Sequence, residues 1–393
     1  MKNKYIKLTI IISVALILTI GFVTRANGSY LDFLSIRKLI NQKFLSNDDN
    51  LNLKYEDIEL IGGYEFAKDG FRVLESDDEY LYGVIDSNNL YRTKGINEKR
   101  ELIQTFDKNI ITMHTLENKN LLLSTSESRW IDRPNGDIYL FDDDSKEFKK
   151  VLTLKSGDAY HWNIASDKKG NVYISEYGIK SEKDNARRIY KSDNFGEDFK
   201  LIYNPKKEEG YHNHKIIVDK NNENTIYQVI GDLNKRLLIS EDKGDNWRSI
   251  DWGNYHPTSI IDIGDYLILG LDGAPYSGIA RFNKETEKVE EVFKTPKPYG
   301  GSIYSMIEHE GKIYAGNMSY SNKEKWHGSI MVSKDKGKTW EIEYIFDKLS
   351  EDMGVGLNKL VSHEDKLFVL CQIPYKCPTS GENKHYFGTI ELE

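Results

Sequence analysis

Cysteine and proline are scarce, with two and eight residues respectively in a chain of 393. Those counts exclude both a dense disulfide framework and a proline-rich extended body. Basic charge is in deficit as well: 54 Lys and Arg stand against 62 Asp and Glu, a formal net charge of −8. The basic residues are dispersed among the acids, so there is no electrostatic footprint for nucleic acid. No sustained helical period follows residue 57, and only one long uncharged apolar run occurs. Tyrosine (25) and glycine (30) are plentiful and 30% of residues are charged, the composition of a soluble globular body rather than a disordered one.

The apolar run opens the chain. Lys2, Lys4 and Lys7 precede LTIIISVALILTIGFVT, from Leu8 to Thr24, and Arg25 follows. At about 1.5 Å per residue, about 17 residues just reach across a hydrocarbon core of about 30 Å. Residues 1–28 are therefore a membrane anchor or a signal peptide, and the weak small-x-small site at Thr24-Arg25-Ala26 favours the anchor. Positive charge ahead of the span places the rest of the chain outside the cytoplasm, with secretion as the alternative. Residues 29–56 form a juxtamembrane stalk, in which LDFLSIRKLINQKFL (Leu31–Leu45) has the spacing of a short amphipathic helix and SNDDN ends it. An extracytoplasmic setting permits a disulfide between Cys371 and Cys377 in CQIPYKC, two unpaired thiols being the other reading.

Residues 57–393 are all β in pattern: short runs of Val, Ile, Leu, Tyr and Phe between clusters of Asn, Asp, Gly and Lys. The runs recur with a period of roughly forty to fifty residues. Units begin at GFRVLES (Gly70), NIITMHTL (Asn109), YHWNIAS (Tyr160), YHNHKIIV (Tyr211), YHPTSIID (Tyr255), GGSIYSMI (Gly300) and GVGLNKLV (Gly354). Four antiparallel strands per unit predict an all-β propeller of seven blades, with six as the alternative. The last unit is one strand short, and an orphan strand, DIELIGGYE (Asp57–Glu65), is expected to complete it and close the ring.

Three turns between third and fourth strands share a pattern: SEDKGDNW (Ser240–Trp247), SKDKGKTW (Ser333–Trp340) and the degenerate SDNFGEDF (Ser192–Phe199). They resemble the Asp boxes, Ser-x-Asp-x-Gly-x-x-Trp, of the BNR-repeat propellers, which include the sialidases. The resemblance covers most of residues 57–393 and implies a sialidase-like fold whose boxes lie on the face opposite the active site. It carries the fold, not the reaction. Sialidases also have a Phe/Tyr-Arg-Ile-Pro element in the first blade; here FRVL keeps Arg72 and lacks the proline, so a typical sialidase is not expected.

Tyr-His stands at the head of three consecutive units, placing His161, His212 and His256 at one mouth of the channel. His214 follows His212 by two and shares its side of the strand. Second strands of the same units end in Glu176, Asp232 and Asp272, expected at the same rim. Four imidazoles and three carboxylates are candidate catalytic groups near neutral pH. His161, His212 and His256 are alternatively candidate ligands for Mn, Zn or Ca, imidazole favouring a transition metal. Tyr160, Tyr211 and Tyr255 are assigned to packing, His114 to structure, and His309, His327, His363 and His385 to the surface. Arg72 and the loop aromatics Trp130, Tyr276 and Trp326 are candidate substrate contacts. Together these predict an outward-facing propeller that acts on or binds glycans, as a hydrolase using two carboxylates or as a polysaccharide lyase using a His or Tyr base. A non-catalytic surface receptor or assembly propeller is the rival reading.

Overall fold

A computed structural model describes residues 59–61, 71–127, 135–178, 187–204, 212–231, 235–272, 277–296, 301–318, 328–346, 356–364, 366–372 and 385–391. The anchor, the stalk helix, Tyr211, Asp232, Trp130, Tyr276, His327, Trp326 and Cys377 fall outside them. Every element among the described residues is a strand, and no helix there is long and apolar enough to cross a membrane.

The strands hydrogen-bond into six sheets, making an all-β, six-bladed propeller. Five sheets are simple four-stranded meanders, such as Asn109–Thr115, Leu121–Ser126, Asp137–Asp142 and Glu147–Thr153 in the second blade. The sixth has eight strands, because Met318 at the end of Lys312–Met318 pairs with Gly356 at the start of Gly356–His363. That bridge merges the last two sequence units into one sheet, so the seven separate blades expected become six. A second departure concerns closure. Glu59–Ile61 runs parallel to Glu341–Phe346, pairing Leu60 with Ile345, instead of completing the final unit.

Burial explains the sequence pattern. Second strands are buried on both faces, as in LLLSTS and IYQVIG, and therefore read as continuous apolar runs. Fourth strands form the rim and carry charge, as in EFKKVLT and RSID. Leu121, Leu122 and Leu123 are each essentially inaccessible, and burying such a side chain stabilises the fold by about 1.5–3 kcal/mol. Apolar clusters fill the gap between each set of strands and the next, and Phe71, Val73 and Leu81 meet Val361 where the ring joins.

Side chains reinforce that junction: Lys359 Nζ donates to the Leu74 carbonyl, Ser76 Oγ to Ser362 O at 2.8 Å, and His363 Nδ1 to Asp77 O at 3.0 Å. His363, expected at the surface, is buried by this contact.

The three related turns adopt one hydrogen-bonded form. Ser240 Oγ accepts from Gly244 N at 2.7 Å, Asp242 Oδ1 from Asn246 N at 2.8 Å, and Trp247 Nε1 donates to Gly244 O at 3.0 Å. The Ser333–Trp340 turn repeats all three bonds. In Ser192–Phe199 the serine bond to Gly196 N persists at 2.9 Å, while Asn194 replaces the aspartate. Gly244 and Gly337 need glycine because their φ values, 97° and 74°, lie in the left-handed region.

Candidate functional site

The three Tyr-His pairs are local variants rather than copies. His212 is the first residue of the inner strand His212–Val218, whereas His256 immediately precedes Pro257–Asp262. Tyr160–Asn163 is not strand at all; the third inner strand is only Ile164–Ser166. Asn163 causes the difference. Its backbone N–H bonds Tyr160 O at 2.8 Å, its Oδ1 accepts from Tyr160 N at 3.0 Å, and its Nδ2 donates to Ser175 Oγ and to His214 O, each at 3.0 Å. A fully buried asparagine, bonded three ways by its side chain and once by its backbone N–H, holds a turn more firmly than a two-strand ladder could.

That turn projects across the channel. Trp162, 8% exposed, stacks on Tyr160 at 4.8 Å between ring centres and meets Tyr304 of the sixth sheet at 5.9 Å. Tyr177 lies edge-on to both Tyr160 and Trp162 and then contacts His212 at 4.4 Å. From there the imidazoles form a row: His212 to His214 at 4.9 Å, and His214 to His256 at 5.4 Å, nearly parallel. Three of the four expected imidazoles thus adjoin, and His161 joins them only through Trp162 and Tyr177.

Hydrogen bonds fix the tautomers. Pro257 O can only accept, so His214 Nδ1 donates to it at 2.8 Å. A neutral His214 therefore offers Nε2 as acceptor, and His212 Nε2 donates to it at 2.9 Å. Gly231, paired with His212 across the ladder, leaves the space for His214: a Cβ there would come 2.1 Å from the imidazole Cε1. His256 Nδ1 is 3.7 Å from Asp272 Oδ2, and Asp272 also accepts from Ser302 Oγ. With side chains 18% and 14% exposed, His256 and Asp272 are the solvent-facing end of a row whose other members, His212 and His214, are buried.

His161 is different in character. Burial, with the charges of Lys359 and Lys215, holds its pKa well below the usual imidazole range, and a backbone hydrogen bond at Tyr304 opposes this only in part. Its Nε2 is buried without a hydrogen-bond partner. His114 donates or accepts at Ser166 Oγ, 2.9 Å away, and burial pushes its pKa down to about 4.

Glu176 does not reach the mouth. It is wholly buried, accepting from Lys155 N (2.6 Å), Ser156 N (3.3 Å), Ser156 Oγ (3.0 Å), Tyr190 OH (2.9 Å) and Arg188 (3.2 Å). All its lone pairs are used to hold the corner between the second and third blades. Arg72 lies in the first inner strand and donates to Ser87 Oγ at 2.9 Å. Among the described residues no group of three or more His, Cys, Asp or Glu side chains is spaced to hold a metal. Trp162, Tyr177 and Tyr304 escaped the sequence reading. Trp162 and Tyr177 neighbour His161 and Glu176 and were signalled by that adjacency; Tyr304 carried no local signal.

No family model matches the sequence, and no curated relative is found. Solved structures with the same fold include the GH74 xyloglucanase of Xanthomonas campestris (TM-score 0.56, 12% identity), which aligns over 84% of this chain and 56% of its own. A prolyl endopeptidase (0.51, 12%) aligns over 81% and 49%, and a chain of the mitotic checkpoint complex (0.54, 11%) over 81% and 87%. This chain spans about half the length of the first two. Neighbours that range from a glycosidase to a checkpoint assembly share a propeller and nothing more specific.

Proposed function

We propose that this chain is a BNR-type, sialidase-like propeller that acts on an acidic polysaccharide outside the cytoplasm, with His256 and Asp272 as its proton-transfer pair. The observation that carries the reading is the row His212–His214–His256 ending on Asp272 at an aromatic-lined channel mouth. The repeated serine–glycine–tryptophan turn supports the BNR assignment.

A lyase fits these groups better than a hydrolase. Hydrolysis needs two carboxylates flanking the bond; of the expected acids among the described residues only Asp272 faces the mouth, because Glu176 is committed to five internal hydrogen bonds. A β-elimination can use one residue: His256 removes the proton beside the uronate carboxylate, a carbon–carbon double bond forms as the bond to the glycosidic oxygen breaks, and the imidazolium, stabilised by Asp272, returns that proton to the leaving oxygen. Arg72 is the assigned partner of the uronate carboxylate. Tyr160, Tyr177 and Tyr304 supply half-buried rings for stacking sugar faces.

The test is to incubate the purified chain with uronate-containing and neutral polysaccharides, following ultraviolet absorbance of the unsaturated product and reducing ends separately. Unsaturated product that falls by about 10²–10⁴-fold in His256→Ala supports the reading. Reducing ends without unsaturation indicate hydrolysis, saturable binding without cleavage indicates a binding propeller, and either result overturns it.

A further inference from the structure

The opposite end of the channel is open and carries a feature that the histidine row does not use. A cavity of about 800 Å³ is lined there by Thr115, Ser166, Lys215, Ile217, Ile261 and Met306. Lys215 is half-buried in the inner strand His212–Val218 and forms no ion pair or hydrogen bond through its ammonium among the described residues. Burial and the neighbouring Lys359 bring its pKa down to about 8. An ammonium taken from water that must share its one neighbouring carboxylate, Glu75, with Lys359 is under-compensated unless a second anion arrives.

We propose that this cavity binds a small monocarboxylate, held by the Lys215 ammonium with the Ser166 hydroxyl as second donor.

Charge selects the ligand. Two ammoniums, Lys215 and Lys359, face one carboxylate, Glu75, which lies 3.4 Å from Lys359 Nζ. The two imidazoles within reach of these charges, His114 and His161, are both held neutral. The interior is thus one positive charge in excess, which suits a monoanion. Ser166 Oγ is 2.9 Å from His114 Nε2, and when that nitrogen carries the proton the hydroxyl is free to donate into the cavity. The rim is acidic, and part of its charge is neutralised in place. Asp219 and Asp262 share Lys284 at 2.7 Å, Glu223 pairs with Lys169 at 2.6 Å, and Glu79 with Lys94 at 2.9 Å. With Asp77, Asp78, Glu117, Asp143 and Asp167 the rim as a whole stays acidic, and it repels a long polyanion more strongly than a compact monoanion.

The site is independent of the proposed chemistry at His256 and is tested without any turnover assay. Trace acetylation of the full chain with acetic anhydride, read by peptide mass spectrometry, gives the labelling rate of each lysine. Formate at saturating concentration is expected to slow labelling of Lys215 at least tenfold while leaving the exposed Lys99 unchanged. Lys359→Met should reduce that protection, and the wild-type measurement stands by itself if the variant does not fold. Protection by inorganic phosphate but not by formate overturns the assignment of ligand class. Equal labelling of Lys215 with and without formate overturns the site.

Discussion

The Nε2 atoms of His212 and His214 lie 2.9 Å apart, and because His214 Nδ1 is committed to Pro257 O, one proton always sits between the two rings. A pair so arranged holds a neutral His214 in one tautomer. It also ties the solvent-facing His256 to the buried interior of the fourth blade through ring contacts alone.

Gly231→Ala places a methyl 2.1–2.2 Å from the His214 ring, and ring and backbone cannot both stay. The expected outcome is a loss of about 1–3 kcal/mol in urea unfolding, from overpacking, together with lost activity or ligand binding at the histidine mouth. Unchanged function in the folded variant would show that the His214 position is immaterial.

Glu176→Gln separates structure from function. It presents an amide N–H₂ to donors that now meet a carboxylate and removes the Glu176 charge from Arg188. Stability should fall by about 3–5 kcal/mol, while ligand affinity of the remaining folded protein stays at the wild-type value by calorimetry. A folded, stable but inactive variant would return Glu176 to the catalytic set.

Two glycines in left-handed conformations give a paired comparison. Gly244, at φ 97°, would place its Cβ 2.4 Å from Ile202 Cδ1, whereas Gly253, at φ 58°, has nothing within 4 Å. Alanine at 253 should cost only about 1–2 kcal/mol of backbone strain, and alanine at 244 at least about 1 kcal/mol more. Denaturant midpoints of the two variants decide it.

Acid should destabilise the fold before its carboxylates titrate. His114 has a folded pKa of about 4 against about 6.5 when unfolded. The unfolded chain therefore binds more protons across that window, so stability is complete above it and is lost as the pH falls through it. His114 alone accounts for about 2 kcal/mol between pH 7 and pH 5, and His161 adds in the same direction. In His114→Gln the difference in unfolding free energy between those two pH values should shrink by about that amount.

The strands and the serine–glycine–tryptophan turns were legible in sequence because both are local. Continuous apolar runs mark second strands, and the turn carries its own hydrogen-bond partners within eight residues. The pairing of His212 with His214 was equally legible, since it needs only the two-residue period of a strand. The rest depends on distant contacts. YHWNIAS reads as a strand until Asn163 is seen bonding Ser175 and His214 O, and nothing in YISEY says that Glu176 turns inward to Ser156, Tyr190 and Arg188. Tyr304 reaches Trp162 from a strand more than a hundred residues away. The sheet count failed for a similar reason: a single bridge, Met318 to Gly356, merges what the repeat keeps apart.

The junction of the last strands with the first is a clasp rather than a weld. Lys359, Ser76 and His363 reach across it; no ladder spans it among the described residues, nor the other gaps between sheets, but beside His212–Val218 a backbone bond crosses, Ile216 N donating to Trp162 O at 2.9 Å. Parting the bracelet there breaks a few side-chain links and the small Phe71–Val361 contact, leaving every sheet intact. Breathing of the ring should start at this gap, and amides of Arg72–Ser76 should exchange with solvent sooner than those of the equally central strand His212–Val218.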